Sequence, residues 1–113
     1  MRIRQVLVDA PDCQTDLEDA SGMLACMRQA AATVGAREQG AAEVRYVPHG
    51  LTVVLFLAES HLLVSTWPEH RLALVDVLLC DDQMDPDAVL DVLVGYLRPL
   101  GDLRKSAVER VVG

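Results

Sequence analysis

The sequence is short of aromatic side chains and of positive charge. Aromatic residues make up only 4% of its 113 residues, so any core has to be packed mainly from the Leu, Val and Ala within a hydrophobic share of 51%. Lys and Arg number 10 against 17 Asp and Glu, which gives a formal net charge of −7. Phosphate binding needs clustered Lys and Arg, so this balance argues against a nucleic-acid partner. An acidic field favours cationic partners such as amines, although it serves solubility equally well.

Cysteine pairs and long apolar runs are also missing. The three cysteines, Cys13, Cys26 and Cys80, form no CxxC motif, which argues against a disulfide framework, a structural zinc site or any other metal site. No apolar run approaches the roughly 20 residues that cross a membrane. Asp9 and Asp12 interrupt the start before a signal-peptide core can form. We therefore expect a cytoplasmic protein without membrane contact.

The length fits a single domain spanning residues 1–113. The chain is more apolar than an average soluble domain, which favours burial of some surface against a second subunit. A homo-oligomer is therefore expected.

Apolar periodicity divides the chain into strands and helices. Thr15 followed by Glu18 fits a capping box, and the apolar residues after it recur at spacings of three and four until Gly35. Asp85 with Pro86 is a typical start for a second helix, which ends near residues 99–101. Strands are predicted over residues 3–8, 44–47, 51–58, 62–66, 72–79 and 107–112, with a polar connection over 36–40.

This order predicts an α+β fold. It is a two-layer sandwich in which two helices pack on one face of a mostly antiparallel sheet. The tight turn over residues 48–50 makes strand 51–58 an antiparallel neighbour of the strand before it. Strand 51–58 is apolar on both faces, which indicates a central strand or one covered on both sides.

Polar residues with chemical potential gather between two apolar strands. They are Glu59, Ser60, His61, Ser65, Thr66, Trp67 and Glu69, with Cys80 at the end of the next strand. Ser60 and His61 are adjacent and would point to opposite faces of a strand, and no GxSxG elbow is present, so a catalytic triad is disfavoured. One histidine is too few for a metal site. From local chemistry alone, an ordinary polar turn is the better interpretation.

Three motifs in this region occur together in one protein family. They are Glu59-Ser60-His61-Leu62, Thr66-Trp67-Pro68-Glu69 and Asp76-Val77 followed by Cys80. Their spacing from residue 48 to residue 80 resembles, without a gap, that of the bacterial and archaeal S-adenosylmethionine decarboxylases. The family signature is Ser-Glu-Ser-His-Leu, His-Thr-Trp-Pro-Glu and Asp-Val/Leu-Phe-Thr-Cys-Gly. The first helix and the Asp85-Pro86 start of the second extend the resemblance over nearly the whole chain.

The resemblance implies a proenzyme that cleaves itself between Glu59 and Ser60. In that family the serine hydroxyl attacks the preceding carbonyl, an N→O acyl shift gives an ester, and elimination leaves a pyruvoyl group. The cofactor would thus be a pyruvoyl group derived from Ser60, with no metal. Its ketone forms an imine with the substrate amine and acts as an electron sink as CO₂ leaves, in the decarboxylation step of spermidine biosynthesis.

Further roles follow from the same resemblance. Cys80 matches the residue that protonates the product carbon, and Thr52 stands where a serine assists processing. His61 matches a family histidine with either a packing or a chemical role. The family is also implied to complete its active site by forming a homodimer. The implied substrate-binding residues are Tyr46, Trp67 and Glu69.

Ser65 departs from the family pattern. The family has a histidine there, the base that drives the elimination, and serine is a poor base without an activating neighbour. One hypothesis is a divergent decarboxylase in which His61, His49 or a water replaces that base. Its substrate is S-adenosylmethionine or a basic amino acid such as ornithine or arginine. The other is a non-processing relative that binds a ligand or a partner subunit. The retained Glu59, Ser60 and Cys80 favour the first hypothesis.

Overall fold

A computed structural model of the protein describes all of residues 1–113. The chain forms two helices and six strands, and a short 3-10 turn, Pro68–His70, follows the fourth strand. Neither helix is long and apolar enough to cross a membrane. The elements are β1 (Arg2–Ala10), α1 (Ala20–Thr33), β2 (Glu38–Arg45), β3 (Leu51–Leu57), β4 (Ser60–Trp67), β5 (Leu72–Leu79), α2 (Pro86–Leu97) and β6 (Arg104–Val111).

All six strands form one sheet in the order β2-β3-β4-β5-β1-β6. Every neighbouring pair is antiparallel. The helices pack against each other and against the same side of the sheet, α1 over β3 and α2 over β5 and β1. The predicted α+β two-layer architecture is therefore confirmed.

Strict alternation of buried and more exposed residues along β3, β4 and β5 places the core between sheet and helices. Burying each large aliphatic side chain there contributes about 1.5–3 kcal/mol. The largest fully buried side chains are Met23, Met27, Leu51, Leu55, Leu62, Leu79, Leu93 and Leu97.

The opposite side of the sheet carries no covering layer. We call it the open face. Phe56 on β3 is 46% exposed and Leu7 on β1 is 39% exposed, while Val54 and Leu63 are partly buried by their neighbours. β3 is an inner strand between β2 and β4, so the expectation of a central strand is confirmed. It is not covered on both sides in the single chain, because one of its faces meets solvent. An apolar sheet face of this kind is typical of a protein–protein contact.

The start of α1 differs from the prediction. Asp19 caps the helix by accepting a hydrogen bond from the Gly22 N–H at 3.0 Å. The predicted capping box is wrong because its two members are bound elsewhere. The Thr15 hydroxyl donates to the Tyr96 carbonyl, and the Glu18 carboxylate accepts from the Gly50 N–H at 2.6 Å.

The edge strands are longer and more polar than predicted. β2 begins at Glu38, so the predicted polar connection over residues 36–40 and strand over 44–47 are both wrong in their bounds. All but one of the residues of β2 are exposed, and a strand without a buried face needs no apolar alternation. The exposed β6 likewise begins earlier than expected, at Arg104. The predicted bounds of β5 and the Asp85-Pro86 start of α2 are confirmed.

Candidate active site

Most of the chemically interesting residues lie on the β3–β4 hairpin. Its two-residue turn, Ala58 and Glu59, joins the paired residues Leu57 and Ser60. We call this region, together with Cys80, the turn end. At the other end of the hairpin Thr52 on β3 pairs with Ser65 on β4. We call that region the open end, and it includes residues 46–50 and 66–69.

At the turn end, Ser60 and Cys80 are in direct contact. The Cys80 backbone N–H donates to Ser60 Oγ at 3.1 Å, and the Ser60 hydroxyl donates to Cys80 Sγ at 3.3 Å. Cys80 Sγ also lies 3.9 Å from Glu59 Oε2. Cys80 directly follows β5, the antiparallel neighbour of β4, and this pairing brings the three residues together although they are distant in sequence.

The backbone of Glu59 adopts a left-handed conformation with φ of +56°. For a residue other than glycine this costs about 1–3 kcal/mol and persists only when the surroundings impose it. Here the tight hairpin imposes it, because Leu57 and Ser60 are held in register on either side of the turn. The strained residue is the one whose carbonyl precedes Ser60.

An acidic cleft of about 500 Å³ opens at the turn end. Three carboxylates and one guanidinium line it, so a cationic ligand fits its charge better than an anion. The lining residues are Gly35, Ala36, Arg37, Leu57, Ala58, Glu59, Ser60, Cys80, Asp81, Asp82 and Met84.

At the open end, three hydroxyl groups form a chain. Thr52 Oγ1 lies 2.8 Å from Ser65 Oγ and 3.0 Å from the Tyr46 hydroxyl. Thr52 and Ser65 face each other across β3 and β4 on the open face, so their contact follows from the strand register. The Ser65 side chain is therefore held by hydroxyl groups alone.

A histidine–carboxylate pair lies beside these hydroxyls. His49 Nε2 is 2.7 Å from Glu69 Oε2. Desolvation raises the pKa of Glu69, but hydrogen bonds from its own backbone N–H and from His49, together with the charges of His49 and His70, outweigh desolvation and hold the pKa below its usual value. The pair shares a second cleft of about 440 Å³, lined by Tyr46, Val47, Pro48, His49, Thr52, Ser65, Thr66, Trp67 and Glu69.

The loop that carries His49 is anchored at Gly50. The N–H of Gly50 is held by Glu18, and that of Leu51 donates to the buried Thr66 hydroxyl at 3.1 Å. Gly50 has φ of +99°, and a Cβ there would come within 2.9 Å of the Thr66 carbonyl oxygen. Only glycine fits this close approach.

The two ends are too far apart to act together within one chain. Ser60 and Ser65 are separated by five residues of one extended strand, which at about 3.3 Å per residue amounts to about 17 Å. The structure thus brings Glu59, Ser60 and Cys80 together, and it places Thr52, Ser65, Tyr46, Trp67 and Glu69 in a separate group. The rise per residue of the predicted strand is the signal that could have separated them.

His61 belongs to neither group. It lies on the open face, where its Nε2 is 3.4 Å from Asp76 Oδ2. Gln5 donates to the other oxygen of the same carboxylate at 3.0 Å. Sequence reasoning missed Gln5 and assigned Asp76 no contact. These three residues lie on the same side of three neighbouring strands, and only the pairing of β4, β5 and β1 shows this.

The remaining cysteines line neither of the two clefts, and all three cysteines are free. Burial raises the pKa of the Cys13 thiol, and it raises that of Cys26 to about 11. Thiols of this kind are unreactive near neutral pH. No group of three or more His, Cys, Asp or Glu side chains is placed to hold a metal ion.

Comparison with known proteins identifies relatives of this fold and sequence. Residues 4–110 match the family described as S-adenosylmethionine decarboxylase. A protein of Brevibacillus brevis named S-adenosylmethionine decarboxylase proenzyme is 37% identical over 106 residues, covering 93% of this chain and 80% of the relative. A protein of the same name from Pyrobaculum neutrophilum is 39% identical over 87 residues, covering 76% and 70%.

A solved structure is similar over nearly the full length. The crystal structure of the adenosylmethionine decarboxylase from Aquifex aeolicus superposes with a TM-score of 0.86 at 28% identity, covering 98% of this chain and 92% of that one. The sequence match, the strand order and the Glu59-Ser60-Cys80 cluster all support the same family assignment. The chain belongs to the S-adenosylmethionine decarboxylase family.

Proposed function

We propose that this protein is a self-processing S-adenosylmethionine decarboxylase that works as a homodimer. The observation that carries the proposal is the contact of Ser60 with Cys80 directly after the strained Glu59. In a chain of this family, that arrangement supplies the nucleophile, the peptide bond to be broken and a proton donor in one place.

Processing begins with Ser60 Oγ attacking the carbonyl carbon of Glu59. The new C–O bond forms, the C–N bond breaks, and the hydroxyl proton passes to the released amine, which leaves an ester. The Cys80 N–H fixes Ser60 Oγ from one side. The left-handed φ of Glu59 raises the energy of the peptide that is lost, so part of the barrier is already overcome in the folded chain.

The ester is then opened by elimination. A base removes the α-proton of residue 60, a Cα=Cβ double bond forms, and the Cβ–O bond breaks to release the Glu59 carboxylate. Water hydrolyses the resulting dehydroalanine with loss of ammonia and leaves the pyruvoyl group. That group supplies an electrophilic carbonyl that withdraws electrons as the substrate loses CO₂.

Cys80 acts as proton donor to the product carbon. Its Sγ lies 3.3 Å from the oxygen of Ser60, so a thiol proton is within reach of groups bound at residue 60. No other thiol lines the cleft at the turn end.

The charge and shape of the two clefts support a cationic substrate with an aromatic base. The acidic cleft suits the positive charge of a sulfonium or an amine. At the open end, Trp67 is 40% exposed and Tyr46 is 50% exposed, and both rings are free to stack on an adenine. Glu69 in the same cleft accepts a hydroxyl or faces positive charge.

A second copy of the chain would make one site from the two ends. The open face offers the apolar surface for such a contact, with Phe56 and Leu7 exposed. If two open faces pack about a two-fold axis with the hairpins running in opposite directions, the turn end of each copy meets the open end of the other. Closed two-fold dimers are the commonest symmetric assemblies.

The mass of the purified protein tests the processing step. Cleavage should give fragments 1–59 and 60–113, the second with a blocked pyruvoyl end. Ser60→Ala should leave the 12.3 kDa chain intact, whereas Ser106→Ala on the exposed strand β6 should cleave normally. A wild-type chain that stays whole for days contradicts the proposal. CO₂ release from S-adenosylmethionine, compared with ornithine and arginine, then identifies the substrate.

Ser65 supports a second candidate function, that of a non-processing relative. Without an imidazole at this position the elimination has no evident base in the hydroxyl chain. In that case the wild-type chain stays intact and Ser65→His restores cleavage. Cleavage of the wild-type chain would support the self-processing enzyme over the non-processing relative.

A further inference from the structure

We infer that His49, oriented by Glu69, is the base that removes the α-proton of residue 60 in the second copy of the chain. The inference rests on the proposed self-processing and homodimer. It assigns the step for which the family position, Ser65, no longer carries a suitable side chain.

His49 lies where a replacement for the family histidine would have to lie. His49 and Ser65 line the same cleft, on the same side of the open end. A group that replaces the side chain at position 65 has to reach the same space. Among the three histidines, only His49 lines that cleft: His61 contacts Asp76 on the open face, and His70 is exposed outside it.

The hydrogen bond to Glu69 suits His49 to act as a base. Because His49 Nε2 is engaged with the carboxylate at 2.7 Å, Nδ1 is the nitrogen left to accept a proton. A carboxylate on one ring nitrogen fixes the tautomer and stabilises the imidazolium that forms, as in general-base pairs of hydrolases. The neighbouring hydroxyls of Ser65, Thr52 and Tyr46 have no such partner.

The loop that carries His49 is held rigidly by backbone hydrogen bonds. The loop is fixed on both sides of the histidine, at Gly50 by Glu18 and through the Tyr46 N–H, which donates to the Gly50 carbonyl at 2.9 Å. The imidazole remains 36% exposed in the single chain. It is therefore held in position and still accessible to a second copy.

The step balances without any group beyond those present and water. His49 Nδ1 takes the α-proton, its electron pair forms the Cα=Cβ bond, and the Cβ–O bond electrons leave with the Glu59 carboxylate. The imidazolium then returns its proton to solvent. His49 thus acts in the elimination and takes no part in the acyl shift.

The rate of cleavage of newly made protein, followed by intact mass, tests the assignment. His49→Gln should slow cleavage by about 10²-fold or more and let the ester accumulate, which hydroxylamine converts to a cleaved hydroxamate. His70→Gln, the same change three residues from β4, should cleave at the wild-type rate. The thermal midpoint of each variant checks folding.

A rescue and a mixed dimer sharpen the result. Ser65→His should restore rapid cleavage to His49→Gln by supplying an imidazole at the family position. Coexpression of His49→Gln with Ser60→Ala should yield cleaved His49→Gln chains, because the Ser60→Ala copy supplies His49 in trans. Wild-type cleavage with an unaffected His49→Gln overturns this inference alone. A wild type that never cleaves overturns the proposed function with it, and cleavage in the absence of dimers overturns the trans arrangement.

Discussion

The two ends of the β3–β4 hairpin are built in different ways. The turn end is set by the backbone: a tight turn, a left-handed φ at Glu59 and a hydrogen bond from the Cys80 N–H. The open end is set by side chains, namely the hydroxyl chain through Thr52 and the pair of His49 with Glu69. Glu59, Ser60 and Cys80 at the turn end carry the motif resemblance found in the sequence, and the predicted departure from it, Ser65, lies at the open end.

Under the proposed self-processing, the two ends would tolerate change differently. Ser60 would attack the carbonyl of the residue before it, so its place in the chain would be fixed by the backbone. A proton acceptor would need only to reach the same point in space, so a side chain from a neighbouring loop could take over. His49 and Ser65 line one cleft, which is the arrangement that such a replacement requires.

The largest effect is expected from a change that breaks the proposed dimer and so separates the turn end of one copy from the open end of the other. Phe56→Asp places a carboxylate on the open face close to the turn end, where Phe56 is 46% exposed in the single chain. Burial of an unpaired charge in a dimer contact costs several kcal/mol, so we expect a monomer by size-exclusion chromatography and cleavage slowed by about 10²-fold.

The control for this change is Leu100→Asp, which alters an exposed leucine away from the open face. It should leave both the oligomeric state and the cleavage rate unchanged. A monomeric Phe56→Asp that cleaves at the wild-type rate would show that the two ends do not need each other.

A narrower effect, confined to decarboxylation, is expected at Cys80. Cys80→Ala removes the thiol and keeps the backbone N–H that holds Ser60. We therefore expect self-cleavage to continue while CO₂ release or correct product formation falls by about 10²-fold. Cys80→Ser, which keeps a weaker proton donor, should lie in between. Equal loss of cleavage and decarboxylation would argue that the thiol serves processing rather than protonation.

The sequence predicts some element boundaries correctly and misses others. Strand β5 is correct at both ends because its residues form one apolar run, interrupted only by Asp76. The start of α1 is missed because Thr15 and Glu18 bind the distant Tyr96 and Gly50, contacts that no local pattern encodes.

The candidate site shows the same limit. The proximity of Glu59, Ser60 and Cys80 depends on which strand neighbours β4, and the motif resemblance supplied what local residues could not. The separation of Ser60 from Ser65 was available from strand geometry alone. The pairing of His49 with Glu69 could not be predicted from strand geometry, since it joins a loop to the 3-10 turn after β4.

A more modest change is expected from relieving the strain at the turn end. Glycine at position 59 accepts a φ of +56° without penalty. In a Ser60→Ala background, which keeps the chain whole, Glu59→Gly should raise the free energy of unfolding by about 0.5–1 kcal/mol. With Ser60 present, the same change should slow the acyl shift about fivefold, because about 1 kcal/mol of ground-state strain is lost.

Arg98→Gly is the matched control for strain. Arg98 also has a left-handed φ, of +49°, at the end of α2 and far from the turn. Arg98→Gly should stabilise the chain without altering the rate of cleavage. If both variants leave cleavage unchanged, the strain at Glu59 is a consequence of the tight turn and does not drive the acyl shift.

The smallest effect concerns the stability of the open end. The pKa of Glu69 is held below its usual value in the folded chain, so its carboxylate stabilises the fold above the unfolded pKa, and this contribution is lost as the pH falls through the folded pKa. In a Ser60→Ala background, Glu69→Gln should therefore lower the thermal midpoint slightly near pH 6. It should not lower it at a pH low enough to protonate Glu69 of the reference chain in both the folded and the unfolded state. His49→Gln combined with Glu69→Gln should cost less than the sum of the two, because either change alone breaks the same hydrogen bond. Additive losses would mean that the pair is not coupled in solution, and His49 would then lack the partner that makes it a base.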